Sequence, residues 1–238
     1  GDVFIQKDLA KTLKRISKFG ISGFYNGTTA KLIIKEMERG NGLISHNDLK
    51  AYQSVYREPV IGTFKGLEVI SMGPPSSGGL LLIHMLNAIE NFPIDTLGWN
   101  STDYIHLLTE IAKRAYADRA EHLGDPDFWN NPRDLFLSKK YAKNRVSNLS
   151  MNSHTPSKEV FSGIYNDKES DETTHYSVVD NNGNAVSVTS TLNQNFGNKH
   201  IVAGAGFFLN NEMDDFSIKP GIPNFWGLVG SKANSIEP

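Results

Sequence analysis

Apolar positions recur at a helical interval over residues 7–19, where Leu9, Leu13 and Ile16 share one face and Gly20 ends the run. Residues 28–39 start on a threonine pair, carry Leu32, Ile33 and Met37, and stop at Gly40, which predicts a second helix. Ser45 is placed to cap a short third one through Tyr52. Strict alternation then takes over at 56–63 and 67–72, joined across Lys65-Gly66, and predicts a hairpin whose first strand Pro59 puts near an edge. Helices follow over 78–91, 101–123 and 134–149, with Ser101 and Asp134 available as caps.

Residues 150–172 break the pattern. They are polar and acidic with few apolar anchors, so a mobile surface loop is expected. Alternation returns in Thr173–Asp180 (Thr-Thr-His-Tyr-Ser-Val-Val-Asp), pauses at the turn Asn181-Asn182-Gly183-Asn184, and resumes over Ala185–Asn193. These residues read as a second hairpin, and the whole as mixed α and β with antiparallel pairing.

Composition narrows the possibilities. At 238 residues and 39% hydrophobic content, the chain can bury a substantial core as one domain or a large piece of one. A formal charge of −2 gives no electrostatic reason to expect nucleic acid or an anionic membrane as partner. Lys7, Lys11, Lys14, Arg15 and Lys18 read as one wet helix face. The chain lacks cysteine, which excludes disulfides, thiolate metal sites and a cysteine nucleophile. Its histidines are scattered without metal-ligand spacing, so neither metal nor other cofactor is expected. No apolar stretch reaches the ~20 residues that span a bilayer, and the first residues lack signal-peptide architecture.

The candidate chemistry sits at the 172–173 junction. A strand that opens on a hydroxyl residue after an exposed segment suits an enzyme that cuts its own backbone and uses the new amino terminus as a base. A threonine-rich strand start is the plainer reading of those eight residues. The text around them decides for the first. Phe196-Gly197, Leu209–Ser217 (Leu-Asn-Asn-Glu-Met-Asp-Asp-Phe-Ser), Lys219-Pro220-Gly221 and Gly227-Leu228-Val229-Gly230, in this order and spacing, resemble the start of the small subunit of γ-glutamyltranspeptidase, an N-terminal-nucleophile hydrolase made as one self-cleaving precursor. Ser71–Gly79 and Tyr116–Phe128 resemble the carboxy-terminal half of the large subunit. Nearly the whole chain is covered.

The resemblance implies an α+β fold, part of a four-layer α/β/β/α sandwich, with residues 1–172 from the large subunit and 173–238 from the small one. It implies that Thr173 attacks the carbonyl of Glu172, frees its own α-amino group, and then serves as catalytic nucleophile. Thr191 takes the family position of a second hydroxyl that orients Thr173, although a strand threonine is its ordinary reading. Asn193, two residues on and expected on the same strand face, matches a contact to the substrate's head group. Glu212 and Asp215 match acceptors for the free α-ammonium group of a γ-glutamyl donor. The implied partners are glutathione or another γ-glutamyl donor, with an amino acid, a peptide or water as acceptor. The implied location is the periplasm or exterior.

Gly73–Gly79 is rich in glycine and serine but lacks the Gly-Lys-Ser/Thr ending of a phosphate cradle, so it is expected to shape the entry to the 78–91 helix, capped by Ser76 or Ser77. Tyr116–Phe128 reads as a helix end and structured turn without a catalytic role. The resemblance starts inside the large subunit and still runs at Pro238, which suggests a truncated piece, with Gly1 a trace of expression. The family's carboxylate-binding arginine, serine pair and oxyanion-hole glycines fall outside it, so negligible activity is expected of these residues alone; losing one oxyanion donor costs about 10²–10³ in rate. Two alternatives stand beside this reading: a related acylase for glutaryl-type side chains, and a non-catalytic module of the same fold.

Overall fold

A computed structural model describes residues 1–160, 162, 174–225, 227 and 229–236, with the side chains of 174 and 175 outside the description. The chain forms two compact units. The first takes Gly1–Val55 and the described residues from 174 to Met213; the second runs from Tyr56 and takes up the chain again at Asp214. Each unit therefore draws on sequence from both sides of the 172–173 junction.

In the first unit, α1 (Lys7–Phe19), α2 (Ser22–Tyr25), α3 (Gly27–Gly40) and α4 (His46–Ala51) follow one another. Ser45 and Asp48 form a reciprocal capping box at the start of α4, each side chain taking the other's backbone N–H. The core joins Ala30, Ile33 and Leu49 to Val202 and Ala205, with Phe24 against Phe207 at 5.4 Å between ring centres. α1 departs from the expected pattern. It buries Thr12, whose hydroxyl donates to the Ala205 carbonyl at 2.8 Å, and leaves Leu13 exposed. Nor is its basic face uniformly wet, because Arg15 bonds Thr12 and Thr29.

The second unit centres on α5 (Gly78–Ile89). Against it lie the hairpin β1 (Val60–Phe64) and β2 (Leu67–Ser71), and the helices α6 (Thr102–His122), α7 (Arg133–Leu137) and α8 (Lys139–Arg145). Its apolar residues gather in two clusters, around Leu80, Ile83 and Phe136 and around Leu107, Ile111 and Ala142. The single helix expected over 134–149 is two: Ser138 adopts an extended backbone after Leu137, and its hydroxyl accepts the Tyr141 N–H to start α8. Asp134 lies in the first turn of α7 rather than at its cap, which is Pro132.

Residues 150–160 are also more ordered than a loose loop. The buried Glu110 carboxylate on α6 accepts the Thr155 N–H at 3.1 Å, Lys113 donates to the Thr155 carbonyl at 3.0 Å, and Arg114 reaches its hydroxyl at 3.1 Å. The remainder of the expected loop, apart from residue 162, lies outside the described residues.

The second hairpin, β3 (Thr174–Val179) with β4 (Ala185–Ser190), belongs to the first unit and pairs Tyr176 with Val188 and Val178 with Val186. Asp180 closes its turn by accepting the N–H groups of Asn182 and Asn184. The described residues thus hold two two-stranded antiparallel sheets among helices, an α+β arrangement.

Candidate active site

Beyond Ser190 the chain leaves β4 in a turn built from its own side chains. Thr191 Oγ1 accepts the N–H of Asn193 at 3.0 Å, and Asn193 takes a left-handed backbone (φ 71°). That conformation suits asparagine better than most residues. Thr191 and Asn193 are therefore not partners on one strand face, as alternation suggested: the strand has ended before them.

The turn is locked from the other side by Asn211. Its N–H donates to the Leu192 carbonyl at 3.1 Å, its Oδ1 accepts the Gln194 N–H at 3.1 Å, and its carbonyl receives Nδ2 of the buried Asn193 at 3.1 Å. Gly197 allows the two segments to come together. Its φ is +55°, and a Cβ there would fall 2.1 Å from the Leu209 carbonyl oxygen, a distance no side chain tolerates. Asn211 lies within Leu209–Ser217, and nothing in its local pattern signals that it answers Asn193 across 18 positions.

Glu212 and Asp215 bound a single 3-10 turn. Glu212, half-buried at the end of the first unit, donates its N–H to Asn210 Oδ1 at 3.1 Å. Asp214 and Asp215 belong to the second unit. Asp214 accepts the Phe225 N–H at 3.0 Å, so it is engaged in shaping its own loop rather than simply solvated. The Asp215 carbonyl receives Asn234 Nδ2 at 2.7 Å, and the Asn234 carbonyl receives the Ser217 N–H at 2.7 Å. Asn234 is the second residue that sequence reading missed.

Of the predicted site residues, the structure joins Thr191 directly to Asn193 and anchors both next to the Asn211-Glu212 step. Glu172 and Thr173, the proposed scission pair, lie outside the described residues. Ser77 begins α5, but its hydroxyl does not cap it; it accepts Arg119 Nε at 2.8 Å, while Ser76 accepts the Gly78 N–H. A cleft of about 550 Å³ between Tyr56–Glu58 and Pro126–Asn131 contains none of the predicted residues.

Charged groups are buried elsewhere in the second unit. Asp118 accepts Tyr141 Oη at 3.0 Å and Arg145 Nε at 2.8 Å, with His84 Nε2 at 3.8 Å. Burial, reinforced by the Asp118 charge, pushes the Tyr141 hydroxyl up to about 12, and burial pushes the His84 imidazole down despite Asp118. These groups tie α5, α6 and α8 together and read as structural. No trio of histidine and carboxylate side chains able to hold a metal comes together among the described residues, nor is any described helix long and apolar enough to cross a membrane.

Comparison with known proteins agrees over the full length. The Gamma-glutamyltranspeptidase family profile matches residues 1–238. The chain is 47% identical over 238 residues to the glutathione hydrolase proenzyme of Escherichia coli (strain K12), covering 100% of this chain and 41% of that protein. It is 38% identical over 217 residues to the acylase ACY 1 proenzyme of Pseudomonas sp. (strain SE83), covering 91% of this chain and 38% of that one. Among solved structures, Helicobacter pylori γ-glutamyltranspeptidase superposes with a TM-score of 0.66 at 42% identity, over 72% of this chain and 49% of the other. The chain thus spans about two fifths of the length of these curated relatives.

Proposed function

Because the chain belongs to the γ-glutamyltranspeptidase family, an α+β family of N-terminal-nucleophile hydrolases, we propose that it carries the scission junction of a self-processing precursor that transfers or hydrolyses γ-glutamyl groups. In this reading 1–172 belong to the large subunit and 173–238 to the small one. The observation that carries it is the family match from residue 1 to residue 238, a span that includes Thr173, Thr191, Asn193, Glu212 and Asp215.

The Thr173 hydroxyl attacks the Glu172 carbonyl, the acyl group shifts from nitrogen to oxygen, and water hydrolyses the ester. This leaves a carboxylate on Glu172 and a free α-amino group on Thr173. An unperturbed α-amino group titrates at about 7.7–8.0, so near neutrality a useful fraction can take the hydroxyl proton as the oxygen attacks a γ-glutamyl carbonyl. The leaving amine departs protonated, and water or an acceptor amine then takes the acyl group from the threonine. Thr191 supports this by donating to the nucleophile: an oxygen that already accepts the Asn193 N–H makes a more polarised hydroxyl donor. The Asn193 amide is held by its bond to the Asn211 carbonyl, which fixes it for contact with the donor's head group. Glu212 and Asp215 receive the donor's α-ammonium. We place the parent in the periplasm or exterior on the same footing.

A second reading has a specific support in the acylase relative, and it predicts preference for a side chain without the ammonium group. Turnover of γ-glutamyl and glutaryl anilides by the full-length precursor separates the two. We expect the γ-glutamyl compound to win, and Thr173→Ala to abolish both self-cleavage and turnover. A glutaryl preference overturns the first reading in favour of the second, and undiminished turnover by Thr173→Ala contradicts both.

A further inference from the structure

Within Asn210-Asn211-Glu212 each residue makes a different bond, and together they tie down the two segments that carry proposed donor contacts. Asn211 meets three successive residues of the other segment. Its N–H donates to the Leu192 carbonyl, its carbonyl accepts Asn193 Nδ2, and its side-chain Oδ1 accepts the Gln194 N–H, each at 3.1 Å. The first two bonds use main-chain groups that any residue but proline supplies; the third needs an acceptor on the side chain.

The peptide unit between Asn211 and Glu212 is held at both ends. Its carbonyl oxygen takes the amide of the buried Asn193, and its N–H donates to Asn210 Oδ1 at 3.1 Å. A peptide unit is planar, so holding its oxygen on one side and its hydrogen on the other fixes the plane. Asn193 is bonded to that plane and Glu212 continues the chain from it, so the two are referenced to one rigid group.

We propose that Asn211 is a positioning residue for donor recognition: by holding residues 192–194 it keeps the Asn193 amide in register with Glu212, facing the head group of a γ-glutamyl donor. This rests on the reading of Asn193 and Glu212 given above. The Asn211 side chain acts through the half-buried Gln194, whose N–H it receives. Without that acceptor the N–H loses its partner, the turn around Asn193 gains freedom, and ordering it again at binding opposes affinity.

The test measures kcat/KM for γ-glutamyl p-nitroanilide with the self-cleaved full-length protein, in the wild type and in an Asn193→Ala background. For Asn211→Ala in the wild-type background we expect a fall of about tenfold, the usual scale for leaving one buried polar group unpaired. In the Asn193→Ala background the same substitution should cost less than about twofold, because the amide it positions is already gone. Asn211→Asp, which keeps an acceptor for the Gln194 N–H, should stay within about threefold of wild type. A merely structural residue would give equal losses in both backgrounds. Equal losses, no loss in either, or an Asn211→Asp protein as impaired as Asn211→Ala overturn the proposal. If Asn211→Ala fails to fold or self-cleave, Asn211→Ser, whose shorter side chain reaches Gln194 less well, is read in the same two backgrounds by the same criterion. An Asn193→Ala protein with wild-type kcat/KM overturns the Asn193 reading and this one with it; an impaired Asn193→Ala protein together with any of those failures overturns this one alone.

Discussion

Glu110 has no exposed surface, yet it stays ionised because Lys113 and Arg114 meet it at 2.5 and 2.9 Å. Burial by itself would raise its carboxyl; the hydrogen bonds from Lys113, Thr155 and Arg114 overcome that and hold it down to about 2, against 4.5 for an ordinary glutamate. A depressed carboxylate contributes stability that is present above about pH 4.5 and is lost as pH falls towards about 2. Glu110→Gln should therefore lower unfolding free energy at pH 7 by about 3 kcal/mol, and the gap from wild type should close progressively below pH 4.5. Denaturant titrations at several pH values check both the size and the sign. At this same scale the site was partly legible. Thr191, Asn193, Glu212 and Asp215 are proposed from their place in the motif, and the structure shows the local turns that hold them. The pairings of Asn211 and Asn234 could not be read, because their partners lie 18 and 19 positions away and no local pattern encodes such pairings.

At the scale of elements, reading by periodicity worked where a segment is long and evenly patterned. Residues 7–19 form α1 with those bounds, and the hairpin at Lys65-Gly66 and the helices starting near 78 and 101 are where the apolar spacing put them. It failed where a polar residue chose between two helices and one. Ser138 can sit inside a helix or cap one, and burial of Phe136 on one side and Ala142 on the other favours the break. Ser138→Ala should cost about 1 kcal/mol in stability, with near-unchanged total helicity, because the cap is lost while the bend is kept by packing. Thermal denaturation followed by circular dichroism reads both quantities. Residues 150–160 misled for a related reason: their hydrogen-bond partners are the buried charges of α6, and a polar sequence does not reveal whether its partner is water or a buried carboxylate.

Across the whole molecule, the two compact units do not follow the order of the chain, since each is completed by residues from beyond the junction at 172–173. A protein whose halves are knit together in this way can survive scission of that one peptide bond, because the contacts that hold each unit join segments on either side of it. β3 starts one residue after Thr173, and its pairing with β4 fixes the backbone just beyond the proposed nucleophile. The account depends on what happens at that bond. Intact-mass and amino-terminal analysis of the purified full-length precursor after prolonged incubation tests it most directly. The prediction is two polypeptides, the smaller beginning at Thr173, and a single uncut chain for Thr173→Ala. A wild-type precursor that remains one polypeptide while releasing glutamate from a γ-glutamyl donor at full rate would contradict it.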